Sequence, residues 1–227
     1  MKIIARIRND FKEKFGIPRQ SGIEDSLTSR IVFEPEYRVA EALRGLDGYS
    51  HIWLIWQFSE AVRDGWSPTV RPPRLGGNKR MGVFATRAPY RPNPIGLSSV
   101  RLLGIEHTKD EGDVLIVSGA DLLDGTPIYD VKPYLAFTDS HPDAVGGFSD
   151  AVRDYSLAVK CEEELLEILP KEKRAALIKV LENDPRPSYK EDGDREYGMR
   201  FSDFEVFFTV SGGALSVKRI ERAKNQP

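Results

Sequence analysis

The chain has 227 residues, with 33 Lys and Arg against 35 Asp and Glu, a net charge of −2, and 40% hydrophobic and 30% charged residues. That balance excludes a disordered chain and suits one large domain, or one domain with an appendage, around a substantial core. The longest apolar stretch, residues 52–56, is too short to cross a bilayer. A single cysteine, Cys161, excludes an internal disulfide framework and a cysteine-based zinc site, and His51, His107 and His141 lack metal-ligand spacing. The first residues, Met1-Lys2-Ile3-Ile4-Ala5-Arg6, enter a charged alternating pattern without a signal-peptide core. A cytoplasmic protein with no membrane and no metal partner is therefore expected.

In chain order, residues 2–8 read as an opening strand and residues 31–33 as part of a second. Residues 37–46 carry Val39, Leu43 and Leu46 at helical spacing, and Gly45 and Gly48 stop that predicted helix. Residues 51–58 are short, bulky and bounded by breakers, which predicts a buried strand. The Pro/Gly/Arg-rich stretch at 66–79 is too long for a simple connector, and such loops commonly carry function. A strand is predicted at 81–86 and a three-proline turn at 89–96. Strands at 97–106 and 114–118 follow, joined through Asp110-Glu111-Gly112-Asp113. After residue 140 the texture changes. A strand at 155–161 and helices at 162–169 and 171–181 precede a hairpin, 204–210 and 214–220, turning at Gly212-Gly213. The pattern predicts a larger β-rich domain, residues 1–150, and a small α+β domain, residues 151–227.

Charge is unevenly spread. Between Gly65 and Ile105 there is no Asp or Glu, while Arg71, Arg74, Lys79, Arg80, Arg87, Arg91 and Arg101 fall there. Such a segment fits a polyanion or an anionic ligand, and it fits equally a solvated loop balanced by acids elsewhere. No glycine fingerprint of the dinucleotide type and no phosphate-loop lysine is present, so a nucleotide-like cofactor would need another cradle. Three segments are unusually specific in composition. Phe15-Gly16-Ile17-Pro18-Arg19-Gln20-Ser21-Gly22 presents a guanidinium and an amide on a stiff turn. Residues 84–98 place Asn93 between prolines, with Arg87 and Arg91 on the same stiff loop, able to grip a carboxylate or phosphate. The third runs from Asp121-Leu122-Leu123 to Tyr134: Asp124-Gly125-Thr126-Pro127 makes a turn, after which Asp130 and Lys132 share one face of an extended segment.

Taken together, these segments resemble the TsaA-like, or YaeB-type, tRNA (N6-threonylcarbamoyladenosine)-N6-methyltransferases, over essentially the whole chain. The resemblance rests on Pro18-Arg19-Gln20, on Arg44-Gly45-Leu46 leading to Ser50-His51-Ile52-Trp53, and on Arg71-Pro72-Pro73-Arg74-Leu75-Gly76-Gly77-Asn78. It continues through Arg91-Pro92-Asn93-Pro94-Ile95-Gly96, Asp124-Gly125-Thr126-Pro127 and Asp130-Val131-Lys132-Pro133-Tyr134. In the tail, Asp184-Pro185-Arg186-Pro187 with Tyr189 matches the two-domain bacterial form. One departure is visible: family members often carry His after the Phe matching Phe58, where this chain has Ser59.

The resemblance implies a mainly β fold, a single-sheeted β-barrel methyltransferase domain followed by the small α+β domain, working as a homodimer with its site near the subunit interface. S-adenosylmethionine is implied to lie among Pro18, Arg19 and Gln20, Phe58 and Ser59, Arg87, Leu97, and Asp124, Gly125, Thr126 and Pro127. The implied substrate is the threonylcarbamoylated adenosine 3′ of the anticodon in a threonine tRNA. Methylating that ureido N–H needs proton removal and in-line placement of the methyl group. Asp130 is the first candidate base and Asp124 the second, with Lys132 alongside. Arg91 is the expected clamp for the threonyl carboxylate, with Asn93 beside it, and Arg71 and Arg74 are expected to meet the RNA. The aromatic face of Phe58 suits the sulfonium cation, while Trp53, Trp56 and Tyr134 are expected in the core. Two other readings stay open: a non-catalytic module that binds S-adenosylmethionine or RNA, and a methyltransferase for a small metabolite.

Overall fold

The computed structural model describes residues 1–75, 79–152, 154–186 and 195–224, apart from the side chains of Arg74 and Val152. Gly76, Gly77, Asn78, Pro187 and Tyr189 of the motifs above lie outside the described residues.

The first two-thirds of the chain forms strands β1 (Ala5–Arg8), β2 (Thr28–Phe33), β3 (His51–Gln57), β4 (Thr69–Val70), β5 (Met81–Gly82), β6 (Ile95–Thr108), β7 (Gly112–Ser118) and β8 (Pro127–Pro133). Six of them close on themselves in the order β1-β2-β7-β6-β3-β8, and the ring is completed where Ala5 and Arg6 pair with Ile128 and Pro127. Every pairing in this barrel is antiparallel. Alternation dictates the core: Ile7, Ile31, Ile52, Leu54, Leu115 and Ile128 are fully buried inside. The 14-residue β6 serves two neighbours, β3 through its first half and β7 through its second, and its register with β7 shifts between Leu102 and Gly104. Such a shift lets one long strand turn the corner of a closed sheet.

Three local expectations are corrected. Residues 37–46 do not form a helix; three short 3-10 turns stand there, Pro35–Tyr37, Ala40–Leu43 and Leu46–Gly48. Gly45 adopts φ 86°, which a helix cannot continue through. Arg38 also ties the chain to the barrel, donating to the carbonyls of Phe33 and Asp110. So short an apolar stripe cannot outweigh those constraints. Residues 81–86 give only two strand residues before the 3-10 turn Val83–Ala85. In β3, Ile52, Leu54 and Trp56 are buried while Trp53, Ile55 and Gln57 on the other face are half-buried, so the strand is covered fully on one side only. The Trp53 ring N–H donates to Asp139, which also accepts from the amide of Leu135, the residue just before the short helix α1 (Ala136–Asp139).

The second unit is a four-stranded sheet, β10-β11-β12-β9, made from β9 (Ala158–Lys160), β10 (Tyr197–Phe201), β11 (Phe204–Ser211) and β12 (Ala214–Arg222). β9 runs parallel to β12, and helices α2 (Glu163–Leu166) and α3 (Lys171–Glu182) belong to this unit. Pro170 opens α3, whose Ala176, Leu177, Val180 and Leu181 are buried against Phe201, Val206 and Phe208. The β11–β12 hairpin turns on Gly212 and Gly213 at φ 56° and 76°, the left-handed pair that a two-residue hairpin turn requires. Sequence pattern did not predict β10. The fold is thus mainly β with two domains, but the partition is not a clean cut along the chain. Phe11, Phe15, Ile17 and Leu27, from the segment between β1 and β2, pack into the second core. That excursion is pinned by the Lys173–Asp10 ion pair at 2.7 Å and by the Ser202 amide donating to the Asp10 carbonyl.

Candidate active site

One end of the barrel gathers the end of β3, the start of β6, the turn before β8 and the excursion after β1. Between them lies a cleft of about 510 Å³, within the range of roughly 300–1,000 Å³ typical of small-molecule sites. Pro18, Arg19 and Gln20 form one wall; Trp56, Phe58 and Ser59 form the floor and the β3 side; Arg87, Tyr90 and Arg91 rim it from the basic loop. Leu97 and Thr126 complete the lining from β6 and the turn before β8.

Each wall has an identifiable support. Gly16 sits at φ 98° before the Pro18 turn, and the Arg87 guanidinium donates to the Gln20 side-chain oxygen at 2.6 Å, bridging two walls. Phe58 is fixed by its amide, which donates to the Pro94 carbonyl, and by its ring, tilted 60° against Trp56 with centroids 4.3 Å apart. Gly96 is required by close approach: a Cβ there would fall 2.2 Å from the Trp56 ring. Arg91 donates through Nη1 to the carbonyls of Val83, Thr86 and Ala88, at 3.3, 2.7 and 3.4 Å.

Beneath these loops runs a polar chain that sequence reasoning missed. The Trp56 ring N–H donates to Ser98 Oγ at 3.0 Å, and Ser98 Oγ donates to Asp121 Oδ1 at 2.5 Å. Asp121 lines the cleft. Burial pushes its carboxyl above the usual range, against the pull of Ser98, of its own and Ser21's amides and of Arg87. Asp121 opens one of the segments singled out by composition, but nothing in that segment gave it a role, and only folding sets it beside Ser98.

Other sequence candidates lie elsewhere. Asp124 is engaged in holding the turn, accepting from the Asn9 amide at 2.9 Å and pairing with Lys12 at 3.0 Å. Gly125 takes φ 76° and donates its amide to Ile7, and Pro127 pairs with Arg6 in β1; Asp124, Gly125 and Pro127 are outside the lining while Thr126 is in it. Asp130 and Lys132 form an ion pair with each other at 2.8 Å on β8, again outside the lining. Asn93 lies just behind the rim, its carbonyl accepting from the Ile95 amide. Arg71 is exposed on the basic loop, and the side chain of Arg74 is outside the described residues. The same loop exposes a stacked pair, Trp66 and Phe84, with Arg91 over Phe84 and Arg63 over Tyr90. Among the described residues no group of three or more His, Cys, Asp or Glu is placed to hold a metal, and no helix is long and apolar enough to cross a membrane.

These features define a two-domain, mainly β protein whose ligand cleft is built from barrel-end loops in place of a glycine-rich phosphate cradle. Residues 6–140 match the tRNA-methyltransferase O N-terminal domain and residues 154–223 the TrmO C-terminal domain. The chain belongs to the tRNA-methyltransferase O family. It is 41% identical to the tRNA (adenine(37)-N6)-methyltransferase of Escherichia coli, over 96% of both chains. It is 42% identical to RcsF of Pseudomonas aeruginosa, provisionally named an S-adenosylmethionine-dependent methyltransferase, over 89% of both. The crystal structure of TrmO from Pseudomonas aeruginosa matches it with a TM-score of 0.75 at 35% identity, covering 96% of this chain and 97% of that one.

Proposed function

We propose that the protein is an S-adenosylmethionine-dependent tRNA methyltransferase acting on N6 of adenine 37, in its threonylcarbamoylated form, in threonine tRNA. The observation that carries this reading is the convergence of Pro18–Gln20, Phe58–Ser59, Arg87, Leu97 and Thr126, from five distant segments, on one cleft of suitable size. Whole-chain similarity to the Escherichia coli enzyme supports the reaction and the base.

The donor set fits the cofactor. Phe58 and Trp56 offer ring faces to a cation, and Arg19 and Arg87 offer positive charge to a carboxylate. When bound, the cofactor supplies an electrophilic methyl group. The chain's own work is to hold both ligands in line, exclude water and take up a proton. Asp124 sets the turn that presents Thr126. Arg91, pre-oriented by three carbonyls through a single nitrogen, is the proposed clamp for the threonyl carboxylate, with Asn93 fixing the turn behind it. Trp66 and Phe84, together with the basic residues Arg63, Arg71, Arg74 and Arg80 of the same stretch of chain, are the proposed face for anticodon-loop bases and phosphates. Asp130 and Lys132, paired with each other on β8 outside the cleft lining, are given no role in the transfer. Residues 1–150 are assigned to the methyltransferase barrel and 151–227 to the C-terminal domain, the working species is a homodimer, and the compartment is the cytoplasm.

The decisive experiment is mass spectrometry of tRNA nucleosides from cells with and without the gene, paired with calorimetry of the purified protein. N6-methylated threonylcarbamoyladenosine should vanish with the gene. Cofactor binding with unchanged nucleosides would favour the non-catalytic binder; methylation of another nucleoside would move the target.

A further inference from the structure

Two carboxylates line the cleft, Glu60 and Asp121. Glu60 is exposed and paired with Lys14 at 3.0 Å, so its charge is already answered. Asp121 differs in every respect. It sits at the end of a directed chain from Trp56 through Ser98, forms no ion pair among the described residues, and accepts the Ser98 hydroxyl at Oδ1. The strand β6 supplies Ser98, β3 supplies Trp56, and Gly96 leaves the space that lets the Trp56 ring lie where it can donate. A donor chain of this kind fixes the orientation of a carboxylate without neutralising it, which is how a proton acceptor is held for reaction. The other carboxylates that chemistry would consider are engaged: Asp124 with Asn9 and Lys12, Asp130 with Lys132.

We infer that Asp121 is the proton acceptor of the reaction, with Ser98 and Trp56 as its positioning residues. This rests on the proposed methyl transfer. As the N6 nitrogen forms its bond to the methyl carbon, the N6 proton passes to a carboxylate oxygen of Asp121, and the electron pair of the broken carbon–sulfur bond stays on sulfur. No further reactant is needed. Burial makes the Asp121 carboxylate a stronger base than an exposed one, in keeping with the role. The other titratable groups around the cleft are Lys14, Arg19, Arg87, Arg91, Glu60 and Tyr90.

The test compares Asp121→Asn and Ser98→Ala with the wild type. Three readouts are needed: calorimetry with S-adenosylhomocysteine, turnover on threonylcarbamoylated tRNA across pH, and the carboxyl-carbon NMR titration of Asp121 in the unliganded protein. Asp121→Asn should lower kcat about 100-fold or more, the contribution typical of a positioned base, while KM for tRNA and affinity for S-adenosylhomocysteine stay unchanged. Ser98→Ala removes a hydrogen bond to the ionised form, so the Asp121 titration and the acidic limb of kcat should both move to higher pH, and the plateau should fall, though less than in Asp121→Asn. Full turnover in Asp121→Asn overturns the assignment. So does lost S-adenosylhomocysteine affinity with normal turnover at saturation, which would make Asp121 a cofactor-holding residue. Should Asp121→Asn not fold, Ser98→Ala decides alone: an acidic limb that stays in place while the carboxyl titration moves overturns it. A wild type that binds S-adenosylhomocysteine and shows the titration, yet leaves tRNA unmethylated, instead sinks the proposed function.

Discussion

The guanidinium of Arg19 donates through Nη2 to the main-chain oxygens of both Asp184 and Arg186, at 3.3 and 2.9 Å. A wall of the cleft is thereby held by the C-terminal domain. Behind those carbonyls stands a buried ion pair: Asp184, fully enclosed, accepts from Arg186 Nε and Nη2 at 2.8 and 2.7 Å and from the Tyr155 hydroxyl at 2.8 Å. The Asp184 bonds push the Arg186 guanidinium up, so it stays charged at any accessible pH. Positioning then runs from Arg186 to Arg19, to Gln20 through the shared loop, and on to Arg87.

Removing the inner pair should therefore be felt in the cleft. Asp184→Ala removes two charge-assisted hydrogen bonds from a buried guanidinium and should cost about 3–5 kcal/mol of stability. Arg19→Ala, by contrast, should leave the melting temperature nearly unchanged and weaken S-adenosylhomocysteine. Thermal unfolding and calorimetry on both variants check this. Normal cofactor-product affinity in Arg19→Ala would confine the C-terminal domain to another role.

Gly96→Ala tests the cleft floor. Its Cβ would overlap the Trp56 ring, which must swing away and lose its bond to Ser98. Overpacking of this kind should cost about 1–3 kcal/mol and shift the Trp56 indole N–H resonance. An unmoved resonance would show that the floor yields elsewhere.

Burial of Asp121 carries a stability signature with a defined sign. Its folded pKa is raised, so the folded state holds the proton more tightly than the unfolded chain, and stability falls as pH rises from the ordinary value of 3.8 through the raised one. Above that window the ionised group destabilises the fold; below it the penalty is absent. Asp121→Asn should consequently raise the melting temperature at pH 7, with the gain shrinking towards pH 3. Melting curves across that range measure it, and a variant less stable at pH 7 would contradict it.

The proposed RNA face makes separable electrostatic and stacking predictions. Reversing charge at Arg71 and Arg74 should weaken tRNA binding and flatten its salt dependence, while S-adenosylhomocysteine affinity is kept. Phe84→Ala should weaken tRNA by about 1–3 kcal/mol with the salt slope intact, because a stacked base is lost and no counterion is. Filter binding at several salt concentrations distinguishes them; unchanged slopes in the charge variant would move the RNA elsewhere.

What was legible in the sequence follows the physics of each signal. The third barrel strand declared itself because bulky residues bounded by breakers are a local signal, although which face is covered, Ile52, Leu54 and Trp56, shows only in the fold. The stiff loops declared themselves through odd composition, and Pro18–Gln20, Arg87 and Leu97 do meet in one cleft. The failed helix at 37–46 shows the opposite case, where Arg38 and Gly45 impose tertiary and backbone constraints that outweigh three suitably spaced apolar residues. Asp121 and the Arg19–Arg186 contact were illegible for a different reason: each depends on partners 23 and 167 positions away. Nothing within a local window encodes such meetings.

Arg91 poses the sharpest question, because its position suits two roles. It rims the cleft, and its Nη1 braces the carbonyls of Val83, Thr86 and Ala88. As a clamp, the guanidinium pairs with the threonyl carboxylate, and losing one side of such a pair costs about 2–5 kcal/mol. Arg91→Ala should then raise KM for threonylcarbamoylated tRNA more than tenfold and leave KM for tRNA bearing plain adenosine 37 unaffected. Arg91→Lys should recover little, since an ammonium cannot make the planar two-bond contact. As a brace alone, Arg91 would keep the 83–88 segment in place for any ligand. The alanine variant would then weaken S-adenosylhomocysteine and both tRNAs alike, and a lysine reaching one carbonyl would restore part of each. Turnover on both tRNAs, with calorimetry for S-adenosylhomocysteine, therefore separates the roles. Equal losses on modified and unmodified tRNA would remove the clamp from the mechanism.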